Sequence, residues 1–106
     1  MYKLKYLPLA VRDLNEIVDY ISGTLHAPKA ALELVDKLEH SLLKLEQFPY
    51  SGRVYQPIKP LETEYRVMPV KNYLVFYVVT EQEIEIHRIL YARMDIPGIV
   101  ELNDLQ

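Results

Sequence analysis

The side chains best suited to chemistry gather in the C-terminal third of the chain. Glu83 to Tyr91 reads as a strand, and alternation places Glu85, His87, Ile89, Tyr91 and Arg93 on one face. Ile84, Ile86 and Leu90 fall on the other face. The second set is more apolar and is expected to meet the helices, leaving the first toward an open side of the sheet. Arg66, on an earlier strand, can join it. Arginine suits a phosphate because its fork is planar, bidentate and always charged. Histidine, tyrosine or a carboxylate can move protons when held within hydrogen-bond reach. Arg66, His87, Tyr91 and Arg93 therefore form a candidate set for metal-free phosphate-ester chemistry. Each also has a plainer reading, as a solvated charge or a packed polar residue of the sheet. Arg88 breaks the apolar face of its strand and reads as a bulge, a buried ion pair or a site residue.

Other chemistries find little support. The chain has no cysteine, which excludes disulfides and thiolate metal sites and points to a reducing cytoplasm. His26 and His40 lack a spaced histidine or acidic partner, so no metal is expected. No glycine-rich phosphate loop or serine–histidine–aspartate order is visible, and no cofactor is expected. The formal net charge of −3 argues against a wide nucleic-acid-binding surface. A local basic patch is still open, since Arg66, Lys71, Arg88 and Arg93 all fall in the strand-rich half. The longest apolar run, Tyr73 to Val79, has strand length, well short of the roughly 20 residues of a membrane span. Met1 to Leu9 alternates lysine with apolar residues and lacks a signal-peptide core.

The elements that would hold these residues can be read from pattern. The 106 residues are expected to form one domain, 1–106. A short strand occupies 1–7, with Leu4 and Tyr6 as inward candidates. A helical hairpin follows over 8–46. Pro8 opens its first helix, whose face is Leu14, Ile17, Val18, Ile21 and Leu25, with Gly23 as its stop. Pro28 opens the second, with a stripe of Ala31, Val35, Leu38, Leu42 and Leu45. The short link between them predicts an antiparallel pair. Residues 47–62, with four prolines and glycines among them, read as a loop. Three strands over 63–93 run from Thr63 to Val70, Tyr73 to Thr80 and Glu83 to Tyr91, with Pro69 favouring an edge or a bulge. The tail 94–106 contains a short helix or is irregular. The expected class is α+β: an N-terminal strand and an antiparallel helical hairpin packed on one face of a small, mainly antiparallel sheet.

Several segments, in order and covering nearly the whole chain, resemble toxins of the RelE/ParE superfamily of type II toxin–antitoxin systems. The first is the opening strand with Pro8-Leu9-Ala10, Asp13-Leu14 and Asp19-Tyr20-Ile21. The second, Phe48-Pro49-Tyr50-Ser51-Gly52-Arg53, is similar to the Phe-Pro-x-x-Gly-Arg segment after the second helix. The third comprises Tyr65-Arg66, Tyr73 to Tyr77 and Ile86 to Asp95, where Tyr91 and Arg93 match the family's terminal strand. The resemblance implies a cytoplasmic toxin neutralised by a cognate antitoxin. RelE-like members cleave messenger RNA in the ribosome; ParE-like members act on DNA gyrase. Where the nuclease pattern carries a central-strand cation this chain has Leu74, the preceding strand has Met68 after Arg66, and the tail has no tyrosine. These departures favour the ParE-like reading, with ribosome-dependent RNA cleavage through Arg66, His87, Tyr91 and Arg93, or a degenerate antitoxin-binding member, as the alternatives.

Overall fold

The computed structural model describes residues 1–104. In chain order the elements are β1 (Lys3–Tyr6), α1 (Pro8–Asp19), α2 (Pro28–Leu45), β2 (Arg53–Val54), β3 (Arg66–Val70), β4 (Tyr73–Val79), β5 (Glu83–Tyr91) and α3 (Ile96–Asp104). A π-helical turn, Tyr20–Thr24, prolongs α1. The five strands lie in the order β1-β5-β4-β3-β2. β1 runs parallel to β5, with Lys3 opposite Glu83, and the other pairings are antiparallel. The fold is α+β, as expected.

Both long helices begin at a proline, where the missing N–H has no bond to lose. α1 and the π turn after it bring Leu14, Ile17 and Ile21 to the core around a fully buried Ala10. The helix does not stop at Gly23. The π turn carries the chain through that position, Leu25 N–H bonds to the Tyr20 carbonyl at 2.9 Å, and the left-handed residue is His26, with φ 51°. α2 buries Ala31, Leu34, Leu38, Leu42 and Leu45, so Leu34 takes the place expected of Val35, which is half-buried.

The hairpin covers one face of the sheet, closing a core on Val75, Tyr77, Ile84, Ile86 and Ile89. The other face is not open. α3 packs across it, and Ile96 and Val100 join Tyr65, Val67, Phe76 and Leu90 in a second core. The strand expected from Thr63 begins at Arg66, because the amides of Glu62 and Thr63 bond instead to the Asp104 carboxylate, at 2.8 and 2.9 Å. Of the tail, Leu105 and Gln106 lie outside the described residues.

The simple alternation assigned to β5 also fails. Phe76 pairs with Arg88 but Tyr77 with Ile86, which leaves His87 as the extra residue of a β-bulge. A bulge shifts the side-chain phase by one. Ile89 consequently joins Ile84 and Ile86 under the hairpin, and Leu90 goes to the α3 side, the reverse of the expected assignment.

Candidate functional site

The four residues proposed for phosphate chemistry occupy different places. Arg66 lies opposite Tyr77, and its guanidinium donates to the Gly52 carbonyl at 2.7 Å while resting 4.8 Å from the centre of the Tyr50 ring. His87 belongs to the opposite face. Its ring meets Tyr65 edge-on at 5.4 Å, and Nε2 lies 3.3 Å from Glu85 Oε1. Tyr91 pairs with Tyr73 at the far end of the sheet, with ring centres 5.7 Å apart. Tyr77 lies four residue steps along β4 from Tyr73, so Tyr91 and Arg66 stand about 13 Å apart along the strands. Arg93 is exposed in the turn after β5. Arg66 and His87 thus lie on opposite faces, and Tyr91 and Arg93 lie at the far end.

The sheet edge beyond β1 shows a different polar cluster. β1 pairs only as far as Ile86, and beyond it α1 lies alongside β5. There Asp13, 8% exposed, accepts from Arg88 Nε at 2.7 Å, from Arg88 Nη2 at 2.9 Å and from the Ile89 N–H at 2.9 Å. One carboxylate thus satisfies a fork and a strand amide that β1 leaves unpaired. Hydrogen bonding to Asp13 raises the Arg88 pKa above its ordinary value, outweighing burial, which lowers it. Arg88 is therefore a buried ion pair beside a bulge. The matching signal lay on α1, where Asp13 interrupts a face otherwise made by Ala10, Leu14 and Ile17.

Above this pair opens an apolar groove with a cavity volume of about 890 Å³. Tyr20, Ile21, Leu25 and Leu34 form the helical wall, and Tyr73 and Tyr91 the sheet wall. Tyr20 and Leu25 remain about half exposed, at 53% and 54%. Burial, then the proximity of Tyr91 and Tyr20, raises the Tyr73 pKa. An apolar groove between the hairpin and the sheet is expected from the helix stripe and the family resemblance, but its lining could not be named from the sequence because its walls come from four separate elements. Among the described residues no group of three or more His, Asp or Glu side chains is arranged to hold a metal, and no helix is long and apolar enough to cross a membrane.

Residues 4–96 match the family described as the ParE toxin of type II toxin–antitoxin systems, parDE. The chain belongs to the ParE toxin family. Among solved structures, a chain of the "Chromosomal ParDE TA system from P. aeruginosa" is similar to it, with a TM-score of 0.71 and 25% sequence identity over 88% of this chain and 98% of that one. No curated protein matches. In this ParE toxin the Phe48–Arg53 segment has a clear structural role. The Tyr77 hydroxyl donates to the Pro49 carbonyl and accepts from the Gly52 N–H, both at 2.9 Å. A Cβ on Gly52 would sit 2.8 Å from Tyr77 Cε1 and closer still to the hydroxyl, so only glycine lets the loop approach. Leu74, the residue that departs from the nuclease pattern, packs against the core on the α3 side.

Proposed function

We propose that this ParE toxin is neutralised by a cognate antitoxin seated in the apolar groove, acts in the cytoplasm, and arrests growth through a protein target such as DNA gyrase. The groove carries the proposal. It is large, apolar and walled by half-exposed aromatic and aliphatic residues, the kind of surface that takes an apolar partner segment. The target reading draws on charge. Cleavage of a phosphodiester needs cations positioned on the developing negative charge. Here Arg66 is turned to loop carbonyls, Leu74 supplies none, and the net charge of −3 does not draw in RNA. Binding a protein target requires only a few well-packed anchor residues.

The test has two arms. The purified chain is added to a translating extract in which messenger RNA 5′ ends are mapped, and to gyrase in a supercoiling assay. Inhibited supercoiling with unchanged 5′ ends is the expected result. Codon-positioned cuts with normal supercoiling would transfer the function to RNA cleavage, with Arg66, His87, Tyr91 and Arg93 as the residues to substitute. Neither effect would mark a degenerate antitoxin-binding member.

A further inference from the structure

Three departures from regular backbone surround one groove. The π turn forms part of its wall, and π turns collect at functional positions. Among the described residues, the two with positive φ other than glycine also flank it. His26, at 51°, sits between the lining residues Leu25 and Ala27, and Lys71, at 52°, lines the groove itself. Lys71 is the first residue of the two-residue turn between Val70 and Tyr73, a position that glycine fills without steric cost. The turn is held in place, since the Asn72 carbonyl accepts from the Ala92 N–H at 2.9 Å. A lysine at a site that favours glycine points to a use for its side chain.

The charges around the groove say what that use is. Asp13 is matched by Arg88 and Glu16 by Arg12. Lys71 is exposed and, among the described residues, forms no ion pair. We propose that Lys71 is a partner-recognition residue whose ammonium pairs with a carboxylate bordering the apolar face of an amphipathic antitoxin helix lying in the groove. This rests on the reading of the groove as the antitoxin site. A helix fits better than an added strand. β4 is paired on both sides and the Ile89 amide at the β5 edge is taken by Asp13, so a strand would find few backbone partners there. A helix satisfies its own backbone and needs only side-chain contact.

The experiment separates the residue from the groove. The product of the adjoining antitoxin reading frame is titrated onto the full-length wild-type chain and onto Lys71→Gly, Lys71→Arg and Tyr91→Glu, at low and moderate salt, with the melting temperature of each free chain recorded. Lys71→Gly should melt at or above the wild-type temperature and bind about fivefold more weakly, the upper range for a water-exposed ion pair. Its affinity should also depend less on salt. Lys71→Arg should bind as the wild type does. A glycine variant that binds as tightly as wild type, or that melts lower, overturns the assignment. If Tyr91→Glu binds unchanged as well, the groove is not the antitoxin site, and the proposal falls with that reading.

Discussion

Asp13 shows how much one side chain can hold. It ties α1 to β5 by three hydrogen bonds and neutralises a guanidinium whose side chain is only 19% exposed. Asp13→Ala leaves that charge and the Ile89 amide without their partner, a loss of about 3 kcal/mol. Removing both charges, as Asp13→Leu with Arg88→Met, should recover part of it, because two apolar side chains carry no desolvation cost. Urea unfolding of the wild type, Asp13→Leu, Arg88→Met and the double variant in a double-mutant cycle checks this, and additive losses would show that the two residues act independently. At this scale the sequence was legible only in outline. Arg88 stood out as a break in an apolar face, and a buried ion pair was among its readings. Its partner could not be named, because a separation of 75 positions along the chain is bridged only by the fold. The set of Arg66, His87, Tyr91 and Arg93 was assembled from alternation in the last strand, from the resemblance at Tyr91 and Arg93 and from Arg66 on an earlier strand, and the structure does not gather it at one point.

At the scale of elements, pattern reading succeeded where each element keeps a single period. α2 shows this, with all but one of its stripe residues assigned correctly. It failed where the period is interrupted from within: a bulge was one of three readings of Arg88, but nothing local to β5 chose among them or placed the extra residue at His87. It offered a short helix for the tail, where α3 lies, but not what that helix covers, because its packing depends on the distant Tyr65 and Phe76. The C-terminal end of α3 carries a pH-sensitive tie. Burial tends to raise the Asp104 pKa, but hydrogen bonds from Glu62 and Thr63 outweigh it and hold the carboxyl below its ordinary 3.8. A group with a depressed folded pKa stabilises the fold above its unfolded value, and that contribution is lost as the pH falls through the folded value. The tie should therefore be intact at neutral pH and weaken below about pH 4. NMR should show the Glu62 and Thr63 amides shifting together in that acidic range, and Asp104→Asn should abolish the shared titration. Amides that titrate independently of Asp104 would refute the tie.

Taken as a whole, the molecule is a sheet with a core on each face, and the two cores draw on different parts of the chain. One is closed by the hairpin and the other by α3 together with the loop leading into β3. A chain ending after Met94 should therefore keep its hairpin-side core but expose Tyr65, Val67, Phe76 and Leu90. That area of apolar surface should bind a hydrophobic dye and promote association, while far-ultraviolet circular dichroism retains most of its helical signal. A truncated chain that stays monomeric and dye-free would show that α3 is dispensable to the fold. The sequence could not anticipate the second core, because the tail is too short and its periodicity too weak to reveal what it covers. Composition, charge and the ordered motifs nonetheless sufficed for the class of fold and the family.

The sheet order also sets a timetable. Lys3 finds its strand partner only at Glu83, and the groove takes its walls from residues on both sides of the long central loop. At about 5–20 residues per second, a ribosome needs roughly 4–16 s to travel from the first strand to its partner. Until then β1 has no strand to lie against, and the groove lacks its sheet wall. The groove therefore has both of its walls only once Tyr91 has been made. On the proposed reading of the groove, a nascent chain cannot take up an antitoxin before that point, however early the antitoxin is made.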